Sequence, residues 1–99
     1  MIIGEFVNSD QPGWVKCTFS DAHGNTWTIF EKAPIVSEKW IDSTSTFPRQ
    51  GFIACEILGR TPDDEIVSID ISKPWGVSAA NGETRFDVFP EQIIYYARD

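Results

Sequence analysis

Apolar and polar residues alternate along most of this chain, and a period of two is the mark of strands with one buried face. From residue 15 the alternation is clean, with Val15, Cys17 and Phe19 on one side and Lys16 and Thr18 on the other. After a turn over residues 20–25, Trp27 and Ile29 return on the inward side and Thr26 and Thr28 on the outward side. A second such unit has Ile53, Cys55 and Ile57 inward, a polar turn over 59–65, and Val67, Ile69 and Ile71 inward again. Phe86 and Val88 share a face opposite Arg85 and Asp87. At the N-terminus Ile3 and Val7 fall on one side and Ile2 and Phe6 on the other, which predicts a first strand apolar on both faces. Ile93, Ile94, Tyr95 and Tyr96 are β-branched or aromatic, so residues 93–97 are expected to form a last strand.

The breaks between these runs carry turn chemistry. Asn8 to Gly13 supplies Asn, Ser, Asp, Pro and Gly, and Gly24 and Asn25 can take positive φ. Pro34 ends one strand, with a short strand expected at Ile35 and Val36. Asn81-Gly82 predicts a two-residue hairpin turn, which needs positive φ at both positions. Gly76 marks a bulge or bend, and Pro90 to Gln92 reads as a single 3-10 turn. Residues 37–51 show neither alternation nor helical periodicity and link the two units.

Those units look like one motif written twice. Val15, Cys17 and Phe19 precede Ile53, Cys55 and Ile57 by a constant offset, and Lys32, Val36 and Ser37 align with Lys73, Val77 and Ser78. Six to eight short strands in 99 residues predict an all-β fold occupying residues 1–99 as one domain, an antiparallel β-barrel or a small sandwich, of which the barrel is preferred. Two hairpin units can pair their outer strands and remove exposed edges, with the terminal strands completing closure.

Charge changes the picture of partners. Eight basic against 15 acidic residues give a net charge of −7, a field that repels nucleic-acid phosphates and anionic lipid surfaces. A single-strand binder would want a basic groove beside its aromatics, and Lys16, Arg49, Arg60, Lys73 and Arg85 are too few to make one. No secretory pattern precedes Phe6 and no apolar run is long enough to span a bilayer, so a cytoplasmic location is expected. In that compartment Cys17 and Cys55 are expected as reduced, buried thiols.

Candidate chemistry is sparse. His23 is the only histidine and sits at a predicted hairpin tip, where a solvated turn residue is expected. Asp63, Asp64 and Glu65 form the densest acidic run, but without the spaced ligands of a calcium loop. No nucleophile elbow, zinc spacing or phosphate loop occurs, and no cofactor is implied. Trp40, Phe47 and Trp75 stand in loops, where aromatics either cap a barrel end or anchor a partner.

The reading that follows is a small, acidic, non-enzymatic protein-binding module. Its partner-binding residues are expected to be Trp40, Phe47, Trp75, Asp63, Asp64 and Glu65. In size, acidity and lack of a catalytic constellation the chain is similar to bacterial immunity proteins, which neutralise basic toxins. That likeness implies an inhibitor role against a basic protein. The alternative is a small-ligand or metal-dependent enzyme at the barrel mouth using Asp21, His23 and the acidic turn. Assembly into a homo-oligomer is a third reading.

Overall fold

A computed structural model describes residues 1–8, 13–37, 39–41 and 44–94. Among them the order is β1 (Ile2–Asn8), β2 (Trp14–Ser20), β3 (Thr26–Lys32), a helical turn α1 (Ala33–Val36), β4 (Arg49–Gln50), β5 (Glu56–Arg60), β6 (Val67–Asp70), β7 (Arg85–Val88) and a 3-10 turn at Pro90–Gln92. The protein is all-β with two antiparallel sheets, β3-β2-β1-β4 and β5-β6-β7. No closed barrel is formed among the described residues. β1 lies between β2 and β4 and does not join the two sheets. Of the expected last strand, Ile93 and Ile94 are irregular and residues 95–97 lie outside the described residues.

The alternation read from the sequence sets the core. Val15, Cys17 and Ile29 of the first sheet and Val67, Ile69, Phe86 and Val88 of the second are buried, and they belong to one cluster with Ile3, Val36, Ile71 and Val77. Opposed ring edges join the sheets: Phe86 lies 5.1 Å from Phe19 and 4.9 Å from Trp27, between centroids. Such edge-on pairs add about 0.5–1.5 kcal/mol beyond burial. Backbone bonds reinforce the same side, with Ala80 N–H donating to the Thr28 carbonyl at 2.7 Å and Ala22 N–H to that of Asp87 at 2.7 Å.

Three expectations are corrected. In β1 the ladder slips between Ile3 and Glu5, so Gly4 is bulged, and the face reverses. Ile3 is buried and Phe6 packs on the core, while Ile2 and Val7 are exposed. Ile35 and Val36 form a helical turn and not a strand, because Pro34 suits a first helical turn and the spacing buries both Ala33 and Val36. The loop at Asn81-Gly82 has three residues: Ala79 N–H donates to the Glu83 carbonyl and Gly82 N–H to that of Ala79, with φ of +91° at Gly82 alone. That is a type I turn closed by a left-handed glycine. The turn over Asp21–Asn25 repeats this pattern, with Gly24 at φ +83°.

The internal repeat is kept only as a pair of hairpins. Cys17 sits mid-strand in β2 opposite Ile29, whereas Cys55 precedes β5 and belongs to no strand. Residues 51–55 leave the ladder because their backbone is drawn elsewhere: Gly51 N–H donates to the Met1 carbonyl at 2.9 Å and Phe52 N–H to that of Val36 at 2.8 Å. A Cβ on Gly51 would stand 2.6 Å from Ile3 Cγ1, so only glycine lets these three segments meet.

Candidate functional site

Where the sheets are not joined they diverge around a groove of about 870 Å³. Phe19 from the first sheet and Val88, Ile69 and Ile57 from the second face it, and Cys55, Ile71, Val36 and Ile93 close its floor and ends. Glu91 is the one charged side chain among the described lining residues. The register explains why the second sheet contributes an apolar wall: Ile57 pairs with Ile69, and Ile69 with Phe86, so the three form one row across the inner face. Exposure rises along that row from 5% at Phe86 and 6% at Ile69 to 37% at Ile57, where the sheet ends.

The outer face of the same sheet is polar in register. Glu56 pairs with Asp70 and Asp70 with Arg85, and the Arg85 guanidinium approaches the Asp70 carboxylate at 4.0 Å. The Ser72 hydroxyl at 2.7 Å and its N–H at 2.9 Å hold the Asp70 carboxyl below its ordinary value. Ser68 Oγ donates to Asp87 Oδ1 at 2.7 Å, and His23 Nε2 lies 2.9 Å from Asp87 Oδ2. His23 is therefore exposed at a hairpin tip, as expected, yet bound to β7. That bond is the main cause raising the imidazole above its ordinary value of 6.5, and it also lowers the Asp87 carboxyl.

Asp21 is the hub of the β2–β3 turn. Its Oδ1 accepts from the N–H groups of His23 and Asn25 at 2.9 Å each, and its Oδ2 accepts from Trp27 Nε1 at 2.8 Å and Asn25 Nδ2 at 3.3 Å. Burial pushes the carboxyl up, but the bonds from Trp27, Asn25 and His23 together hold it below the ordinary range. Its lone pairs are thus engaged by the chain itself. His23 and Ser68 bond the same carboxylate and not each other, whereas a nucleophile with its base needs a direct hydroxyl to imidazole bond. Among the described residues no group of three or more His, Cys, Asp or Glu side chains could hold a metal ion.

The residues singled out in the sequence are dispersed. Trp40, 69% exposed, borders a separate pocket of about 150 Å³ with Ala33, Pro34 and Ile41. Trp75, 63% exposed, stands on the turn after β6, beside Pro74 of the groove wall. Phe47 is half-buried against the core, with the Arg49 guanidinium 5.6 Å from its ring centroid. Asp63, Asp64 and Glu65 form the exposed β5–β6 turn, in which Thr61 Oγ1 donates to Asp63 Oδ1 at 2.6 Å and lowers that carboxyl. The ladder partners Ile57 and Ile69 read in sequence as ordinary core, and no local signal marks them as a groove wall.

The cysteines differ. Cys17 is buried and its thiol is pushed up to about 11, chiefly by burial. Cys55 is half-buried on the groove, and burial raises it too. Both are free thiols. No helix among the described residues is long and apolar enough to cross a membrane, which leaves strands out of account. Compared with known proteins, the chain matches no family model, no curated protein and no solved structure.

Proposed function

We propose that this protein is a non-enzymatic binding module whose inter-sheet groove receives an apolar segment of a basic protein partner. The observation that supports it most is the groove itself: about 870 Å³, walled by Phe19, Val88, Ile69 and Ile57, with Glu91 at its border. An aqueous groove of this kind favours apolar side chains by roughly 25 cal/mol for each Å² removed from water. The net charge of −7 favours a cationic partner and speeds its encounter. In this reading the sheets are two walls of a small barrel, held together by the Ala22–Asp87 and Ala80–Thr28 backbone bonds and, among the described residues, open beside β5. A protein that sequesters an apolar segment of a basic partner acts as an inhibitor, the role of an immunity protein. Trp75, next to Pro74 on the groove wall, extends the contact surface.

Selection from a displayed library of random peptides tests this reading. Ile57→Lys, at a position 37% exposed, places a charge on the groove without opening the core. The expected binders carry apolar residues with Lys or Arg between them, weaken as salt is raised, and do not bind the Ile57→Lys protein. Binders indifferent to both salt and Ile57→Lys would overturn the assignment. The volume also suits a small apolar molecule. Such a ligand would displace a hydrophobic dye from the wild-type groove without salt dependence.

A further inference from the structure

Two backbone hydrogen bonds tie the sheets together on their joined side, and one of them has an ionisable pair beside it. Ala22 N–H donates to the Asp87 carbonyl at 2.7 Å, and Ala80 N–H donates to the Thr28 carbonyl at 2.7 Å. Next to the first, His23 Nε2 lies 2.9 Å from Asp87 Oδ2. Consecutive residues of the β2–β3 turn therefore hold Asp87 by its main chain and by its side chain. The other carboxylate oxygen accepts from Ser68 Oγ at 2.7 Å, so the hold reaches β6 as well as β7. The turn is itself a fixed platform, because Asp21 Oδ1 accepts the His23 and Asn25 amides and Asp21 Oδ2 the Trp27 indole. Ala80 and Thr28 carry no group that titrates, whereas the Ala22 end of the joint has His23.

The imidazole is exposed enough to exchange protons with solvent. Among the described residues, the charges that act on it are Asp87 from β7 and Asp21 from its own turn. Ser68 from β6 is neutral, and so is Gln92 of the 3-10 turn, whose Nε2 donates to the Ser20 carbonyl at 2.8 Å. The Asp87 hydrogen bond, and after it the two negative charges, raise the ring above its ordinary value of 6.5. A neutral ring with its proton on Nε2 still donates to Asp87, but it loses the charge that strengthens such a bond.

We infer that His23 and Asp87 form a proton-operated clasp between the sheets: the imidazolium holds the β2–β3 turn on β7, and its deprotonation lets the Ala22–Asp87 end of the joint open locally, without unfolding of the rest. Phe86 and Val88 flank Asp87. Phe86 packs on Phe19 and Trp27, and Val88 lines the groove with Phe19, so the clasp sets how closely β7 approaches β2 at that end. It is a property of the free protein and goes beyond the binding reading, standing whether or not the groove takes a partner.

The test is amide exchange of the isotope-labelled free protein from about pH 5 to 8, with the His23 ring titration followed by nuclear magnetic resonance in the same samples. Protection factors remove the intrinsic pH dependence of exchange, and low concentrations of urea separate local opening, which they leave unchanged, from global unfolding, which they accelerate. The clasp predicts that Ala22 exchanges by an opening insensitive to urea, and that its protection falls about two- to fivefold with the midpoint of the ring, the range of an exposed charged pair. His23→Gln, which keeps a neutral donor, should hold Ala22 at the alkaline level throughout. Asp87→Asn, which keeps an acceptor for Ser68, should bring the ring back toward 6.5 and remove the step at Ala22. Constant Ala22 protection while the ring titrates, or a step that survives in His23→Gln, would overturn the clasp. Exchange of Ala22 with the full urea dependence of global unfolding would overturn it too, because His23 would then act on overall stability alone.

Discussion

Replacing Asp21 by alanine should destabilise the fold well beyond an average surface change. Asp21 is 6% exposed and its carboxylate accepts four hydrogen bonds. The two turn amides, on exposed His23 and Asn25, can be rehydrated, so their loss costs little. The Trp27 indole is different: it is half-buried, its Nε1–H donates at 2.8 Å, and its ring packs on Phe86 across the two sheets. A bond to a charged group is worth about 1.5–3 kcal/mol. With the amides the total is about 2–4 kcal/mol, or a fall in Tm of about 10–20 °C for a chain of this size. Urea unfolding followed by circular dichroism measures it. Trp27→Phe keeps an aromatic ring and removes the donor, so Asp21→Ala should cost at least about 1.5 kcal/mol less in that background. A loss below about 1 kcal/mol, or additivity of the two changes, would refute the role assigned to this carboxylate.

Other outcomes follow from the same geometry. Gly51→Ala should destabilise by about 1–3 kcal/mol, since its Cβ would meet Ile3 Cγ1 at 2.6 Å and the Val36 carbonyl oxygen at 3.2 Å; thermal denaturation reads the loss. The His23–Asp87 bond raises the imidazole above 6.5, so its stabilisation is complete below that value and is lost as pH rises through the higher folded value. Asp21, Asp70 and Asp87 are held below 3.8, so their contribution is present above that value and is lost as pH falls through the lower folded values. Tm should therefore peak between about pH 4 and 6.5, and His23→Ala should flatten the decline on the alkaline side. Asp64 holds φ at +57°, so Asp64→Gly should raise Tm by a few degrees and Asp64→Val should lower it. In the folded protein Cys55 should react with a maleimide faster than Cys17, whose thiol is both buried and pushed up to about 11; mass spectrometry of the modified peptides reads the order.

Much of the core was legible because its spacing is strictly local. Val15, Cys17, Ile29, Phe86 and Val88 alternate with polar neighbours, and all are buried. What failed was governed by tertiary contacts that the alternation does not contain. Residues 51–55 alternate like a strand, but Gly51 packs against Ile3 and the Phe52 amide is taken by Val36, so pairing starts only at Glu56. The bulge at Gly4 turns Phe6 inward in place of Val7, and nothing in residues 2–7 prescribes it. The groove was hidden for a related reason. Phe19, Ile57, Ile69 and Val88 each look like core, and only the divergence of two sheets leaves a space between them. Loop position does not separate the aromatics: Trp40 and Trp75 are exposed, while Phe47, in a similar setting, is half-buried on the core beneath Arg49.

The proposed binding of an apolar, basic protein segment in the inter-sheet groove has a direct spectroscopic readout. It is a nuclear magnetic resonance titration of the isotope-labelled protein with a synthetic peptide alternating lysine with isoleucine. Such binding predicts saturable shifts of the Ile57, Ile69 and Val88 methyl groups, weakening as salt is raised. Shifts absent from these groups at saturating peptide, or confined to the His23 turn on the joined side of the sheets, would contradict it.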